Sequence, residues 1–235
     1  MAQLPLGLRY PPDQRLDTFI AAPPAALAQL RALAKGEVGS LYLVGPSGVG
    51  KTHLALATCA EAEQRGISAH YLPIAAYAGR LAEALPMPVA GALYALDGID
   101  DVAGQRDQEI ALFDFHNAAG DRGAHLLYSA RLLPDEMARL LPDLRSRLNQ
   151  ASRIALTLAD DALRAQILRQ RAERRGLQFD DAAIDWLLKR VERDMASLSA
   201  LFDRLDRASL AAQRRLTVPF LRSVLGAPAN GNRLE

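Results

Sequence analysis

Residues Gly45-Pro46-Ser47-Gly48-Val49-Gly50-Lys51-Thr52 fit the spacing G-x-x-x-x-G-K-[ST]. A loop of this kind works only between a strand and a helix, so it constrains the fold around it. Ser40–Val44 is a short apolar run with a tyrosine at its centre and ends at Gly45, which reads as a buried strand. His53–Arg65 is rich in Ala and Leu at helical spacing, and Gly66 stops it. The glycines let the backbone wrap closely enough for successive N–H groups to face a phosphate. The positive end of the following helix adds to that attraction. Lys51 is placed to reach the β- and γ-phosphates and Thr52 to set a hydroxyl on Mg²⁺.

The same alternation continues along the chain. Ile67–Leu72, Ala92–Leu96, Ala124–Ser129 and Ile154–Leu158 read as further strands. Ala25–Ala34, Leu81–Leu85 and Glu109–Ala119 read as helices, the last with apolar Ile110, Leu112, Phe113 and Phe115. Strands and helices alternating at this spacing predict an α/β domain with a mostly parallel sheet and helices on both faces. After residue 158 the pattern turns all-helical. Helices are expected from Asp160 or Asp161 to Arg175, from Asp180 or Asp181 to about 193, from about 195 to 214, and after Val218-Pro219 to about 225. The expected organisation is an extended Pro-rich arm over 1–15, a nucleotide-binding α/β domain over 16–158, a helical lid over 159–226 and a flexible tail over 227–235.

Half of the 235 residues are apolar, enough for one sizeable core and a small satellite. A net charge of +1 gives no global electrostatic footprint for nucleic acid. The lone cysteine, Cys59, excludes an internal disulfide and a multi-cysteine metal site, and reads as a small core residue. No apolar run approaches the ~18 residues of a membrane span. No basic segment followed by an apolar one opens the chain, so a cytoplasmic protein is expected. His53, His70, His116 and His125 lack metal-ligand spacing and read as structural, and Trp186 reads as core of the helical part.

Asp97 closes an apolar strand, at the sheet end where such folds place their ligands. A carboxylate there can hold the Mg²⁺ that bridges the phosphates, although Asp97-Gly98 is also a turn pair. Asp100 and Asp101 could orient a water or cap the next helix, and spacing leaves both readings open. Ser129, ending its strand, could orient water or phosphate or simply make a turn. Arg145 and Arg147, in Pro142–Leu148, could project from the domain edge toward a neighbour's nucleotide or sit idle on the surface.

Taken together, these residues resemble the AAA+ ATPases, within them the DnaA branch and its Hda-like regulatory inactivators of replication initiation. Leu16-Asp17-Thr18-Phe19-Ile20 resembles the segment that packs on adenine in that branch. Leu141–Leu148 resembles its arginine-finger box, and Leu205–Phe220 is very similar to its closing lid segment. Gln3-Leu4-Pro5-Leu6 resembles the short motif by which Hda-like proteins dock on the DNA polymerase sliding clamp: one amide for specific hydrogen bonds and two leucines for an apolar pocket.

The resemblance implies an AAA+ phosphate-loop domain with a helical lid, ADP or ATP as cofactor with Mg²⁺, and cofactor contacts from Leu16, Phe19, Gly45, Pro46, Ser47, Gly48, Val49, Gly50, Lys51, Thr52 and His53. Thr52 and Asp97 would hold the metal. Asp97 and Ser129 would serve catalysis in cis. Arg147 would act in trans, with Arg145 the runner-up. DnaA and the clamp, the latter through Gln3, Leu4 and Leu6, are the implied partners, with no sequence-specific DNA binding, no membrane and a homodimer left open. Two departures stand out. Gly98 replaces the second acid common after the strand-end Asp, and Ala196 stands where relatives carry a phosphate-touching lid arginine. Weak or absent intrinsic ATPase is therefore expected. DnaA carries a DNA-binding domain after its lid, and the end of this chain there argues against an initiator. The alternatives are an autonomous ATPase such as a DnaC-like helicase loader, or a clamp-bound adaptor with purely structural nucleotide.

Overall fold

Five short strands form one sheet, each pair parallel: β1 (Ser40–Val44), β2 (Ala69–Pro73), β3 (Leu93–Asp97), β4 (His125–Ala130) and β5 (Ser152–Ala155), in the order β2-β3-β4-β1-β5. The computed structural model describes residues 15–20, 22–174, 176–177, 179–189, 205 and 217–225. The expected arm with Gln3, Leu4 and Leu6, the helix over 195–214 with Ala196 apart from Leu205, the closing lid segment between Leu205 and Thr217, and the tail lie outside the described residues.

Side chains alternate across the sheet, so each strand feeds two cores. Tyr42, Tyr94, Leu96, Leu126 and Tyr128 face one side. There they meet Leu112 and Phe115 of α4 (Arg106–Asp121) and Leu144 and Leu148 of α5 (Pro142–Asn149), with Leu81 of the short α3 (Leu81–Ala84). Leu41, Leu43, Leu93, Ala95, Leu127 and Ile154 face the other, against Leu30 and Leu33 of α1 (Pro24–Ala34) and Leu54 and Ala55 of α2 (Lys51–Gln64). Three buried tyrosines bring hydroxyls into the first core, and each finds a partner, as burial of a polar group requires. Tyr42 donates to the Leu132 carbonyl at 2.9 Å, Tyr94 accepts from the Val89 N–H at 2.9 Å, and Tyr128 meets His116 Nδ1 at 2.7 Å.

The three-layer α/β arrangement is the expected one, with several elements shifted. α2 begins at Lys51 itself, because the loop's last glycine already acts as its N-cap. α4 begins at Arg106, three residues before the expected Glu109. Ile110 faces outward on it and Glu109 is buried, its carboxylate accepting the Gly104 N–H at 2.7 Å. The fifth strand runs over Ser152–Ala155 instead of 154–158. Leu156 still donates its N–H to Val44, but Leu158 is exposed where the chain leaves the sheet. α5 is not among the helices expected from the sequence.

A second compact unit begins at Leu158. Its described helices are α6 (Asp161–Arg174), α7 (Asp181–Leu188) and α8 (Val218–Leu225). They pack through Leu168, Ala172, Ile184, Leu187, Leu205 and Leu221, with Trp186 against the edge of that cluster.

Candidate phosphate and metal site

The carboxyl ends of β1, β3 and β4 lie side by side, and this register assembles the site. Asp97 pairs with Ser129, and Val44 pairs with Ala130. Just past Val44 the loop is crowded enough to require glycine. A Cβ at Gly45 would run into the Leu156 carbonyl oxygen. Gly50 adopts φ +97°, and a Cβ there would fall 2.7 Å from Phe19 Cζ. Lys51 opens α2 and donates its ammonium to the carbonyls of Gly45 and Pro46, at 2.7 and 2.8 Å. Partial burial holds its pKa below the usual lysine value, against the pull of Asp100 and Asp97.

Asp97 is the hub. Its Oδ2 accepts the Thr52 hydroxyl at 2.7 Å and the Tyr71 hydroxyl at 2.7 Å, and its Oδ1 accepts the Ser129 hydroxyl. Ser129 in turn accepts the Gly98 N–H at 3.1 Å. The expected trio of Thr52, Asp97 and Ser129 is therefore brought together, with Ser129 buried and β4 running one residue beyond it. Tyr71 joins them from β2 and was not singled out in the sequence. Its burial, and then the Asp97 charge, push its phenol above the usual pKa, so it remains a donor. Thr52 and Asp97 are hard oxygen donors in contact, the donor set Mg²⁺ takes.

Gly98 follows with φ +90°. Asp100, on the one-turn helix Ile99–Val102, does not cap the next helix. Its carboxylate accepts the N–H groups of Arg131 and Leu132 at 2.6 and 3.2 Å and pairs with Arg131 Nε at 3.1 Å. It thereby anchors the chain leaving β4, because two backbone donors there have no strand partner to satisfy them. Asp101 does not cap α4, whose N-cap is Gln105, and lies 3.9 Å from Arg131. Arg131, like Tyr71, carries no signal in the sequence that marks it out.

Beneath the loop, the turn Leu16–Thr18 buries Leu16 and sends Phe19 against Gly50 and His53, the two ring centroids 5.1 Å apart. Leu16, Phe19, Val49, Gly50 and His53 thus meet at the start of α2. The other histidines serve the core: His70 stacks on Tyr94, His116 meets Tyr128, and His125 Nδ1 lies 2.9 Å from the Val38 carbonyl. Burial pushes the Cys59 thiol up to about 12, aided by Glu63.

The two arginines of α5 differ. Pro142 starts this helix at a position where its missing N–H costs nothing. Arg145 turns inward and donates to the carbonyls of Met137 and Leu140 at 2.9 and 3.2 Å. Arg147, two residues on, is only half-buried, and no described residue hydrogen-bonds or ion-pairs with its guanidinium.

Two family models match separate parts of the chain: "Hda, lid domain" over residues 161–225 and "IstB-like ATP binding protein" over 17–85. Solved structures share the fold. Domain III of the Thermotoga maritima replication initiation protein DnaA superposes with a TM-score of 0.78 at 18% identity, covering 92% of this chain and 97% of that one. AMPPCP-bound DnaA from Aquifex aeolicus gives 0.69 at 21%, covering 86% and 67%. The Thermotoga maritima RuvB Holliday junction branch migration motor gives 0.65 at 20%, covering 92% and 72%.

Proposed function

We propose that this Hda-like, DnaA-related AAA+ protein binds ADP or ATP at Gly45–Thr52 and stimulates hydrolysis of ATP held by DnaA, while docked on the sliding clamp through Gln3, Leu4 and Leu6. The result would be inactive, ADP-bound initiator after replication starts, in the cytoplasm. The observation that carries the reading is the contrast between two neighbouring arginines. Arg145 is committed to two backbone carbonyls, whereas Arg147 has no partner among the described residues. Arg147 is thus the guanidinium available to a phosphate outside its own chain. There it would neutralise charge that develops during phosphoryl transfer.

In cis, the loop N–H groups and Lys51 would hold the phosphates, and Leu16, Phe19 and His53 would shape the nucleotide's surroundings. Thr52 and Asp97 would hold Mg²⁺, which when bound neutralises charge across the β- and γ-phosphates. The AMPPCP carried by the Aquifex aeolicus relative supports an adenine nucleotide. Asp97 already accepts three hydroxyls, and Gly98 beside it presents no side chain. A proton acceptor for an attacking water is therefore poorly provided, which favours weak intrinsic ATPase with Ser129 holding Asp97 in place.

The test is ATP turnover by DnaA on clamp-loaded DNA. The wild-type protein stimulates it. Arg147→Ala retains ADP and clamp binding but loses stimulation, and Arg147→Lys does not restore it, because a point charge cannot replace the planar fork. Full stimulation by the alanine variant overturns the reading. Fast hydrolysis by the chain alone, abolished by Asp97→Asn, puts the helicase-loader type of ATPase in its place.

A further inference from the structure

Tyr71 belongs to none of the motifs above, yet its hydroxyl reaches the centre of the site. We propose that Tyr71 is a positioning residue for the metal–nucleotide site: by holding the Asp97 carboxylate toward Thr52, it sets how strongly a divalent cation binds together with the nucleotide. The inference rests on the nucleotide-binding reading.

The geometry begins with the sheet. β2 lies at its edge and bonds to β3 with Tyr71 opposite Ala95 and Pro73 opposite Asp97. Side chains two apart share a face, so Tyr71 stands diagonal to Asp97, within reach for a long side chain. Its ring packs on the core that faces α2, which limits its rotation. The carboxyl torsion of an aspartate is otherwise broad. Here Oδ2 takes Tyr71 and Thr52, each at 2.7 Å, and Oδ1 takes Ser129. A carboxylate offers about four acceptor positions, so three hydroxyls nearly fill it and fix its plane. Thr52 directs its proton at Asp97, which leaves its oxygen lone pairs for a cation. That arrangement holds only while Asp97 faces Thr52, and Tyr71 keeps it there without touching cation or phosphate.

Tyr71→Phe keeps the ring and removes the hydroxyl. The experiment titrates ADP into the full chain by calorimetry across a Mg²⁺ series and in EDTA. Loss of an outer partner of a metal-holding group typically weakens metal binding ~10–100-fold. The expected result is a Mg²⁺ midpoint raised about tenfold or more, in line with that range. ADP affinity in EDTA and the melting temperature stay near wild type. Amide exchange gives a second readout: Mg²⁺ with ADP slows exchange over Ala69–Pro73 in the wild type and not in the variant. A Mg²⁺ midpoint equal to wild type overturns the proposal, and so does an equal loss of ADP affinity with and without the metal. Asp97→Asn separates the two readings. If it abolishes the Mg²⁺ effect while Tyr71→Phe changes nothing, nucleotide binding stands and the role of Tyr71 falls. A wild-type protein that binds ADP equally with and without Mg²⁺ overturns the role of Tyr71 and leaves nucleotide binding standing, and one that binds no ADP sinks both.

Discussion

Replacing Gly50 by alanine tests the packing under the phosphate loop. Two costs are expected. The left-handed φ of +97° costs a residue with a Cβ about 1–2 kcal/mol. The added methyl also meets the Phe19 ring, 2.7 Å from Cζ, and relief of such overpacking costs typically ~1–3 kcal/mol. Together they predict a loss of about 2–5 kcal/mol. A domain's total stability of roughly 5–15 kcal/mol leaves a folded population to measure. Phe19→Leu alone should cost roughly 1–2 kcal/mol, at the low end of large-to-small core changes. Combined, the two changes remove the overlap but keep the backbone strain. The double variant should therefore lose less than the sum of the single losses, by about 1–3 kcal/mol. Urea unfolding of the four proteins supplies the cycle, and ADP titration shows whether the displaced loop still binds. Additivity within ~0.5 kcal/mol would mean that the ring and the glycine do not constrain each other, and the reasoning would fail.

Three further outcomes follow from the site and its surroundings. Lys51→Ala removes the cation at the loop, and ADP affinity measured by calorimetry should fall at least about tenfold. Arg145→Ala leaves the Met137 and Leu140 carbonyls without this donor, so it should cost about 1–3 kcal/mol in unfolding experiments. Arg147→Ala should be nearly neutral in the same assay, and the reverse order would exchange the two assignments. His116 has a pKa lowered by burial and then by Arg147. The unfolded chain takes up a proton below its ordinary pKa of about 6.5 that the folded state resists, so stability falls as pH drops through that value. His116→Asn should lose less stability than wild type between pH 7 and pH 5, and parallel pH profiles would contradict the attribution.

What could be read in advance was the chemistry that is local in sequence. The loop carries its own strand and helix signals, and Asp97 and Ser129 each end an apolar run. The parts that escaped depend on neighbours far along the chain. Tyr71 reaches Asp97 only because β2 lies beside β3, and nothing in Ile67–Leu72 states that order. Spacing leaves the role of Asp100 open because its partners, the N–H groups of Arg131 and Leu132, come some thirty residues later. α5 is eight residues long and buries only Leu144 and Leu148, too little to show a helical period amid Arg, Ser and Asn. In β5 the apolar run outlasts the pairing, since β1 stops offering partners after Val44. Spacing alone treats the two arginines of α5 alike and the family resemblance puts Arg147 first, while the contacts of Arg145 with the Met137 and Leu140 carbonyls become visible only in the fold.

The left-handed backbone at Gly98 bears on how a chain like this one can change over time. A glutamate at this position would complete the acid pair of an active hydrolase. It would have to hold φ +90°, with its Cβ 3.1 Å from Asp101 Oδ2. The Asp101 carboxylate, at the end of its side chain and 3.9 Å from Arg131, would have to give by only a few tenths of an ångström. A side chain at this position is therefore opposed chiefly by the backbone, at about 1–2 kcal/mol. The backbone works as a ratchet against a second acid beside Asp97, which under the function proposed above keeps the site from becoming an efficient hydrolase of its own nucleotide.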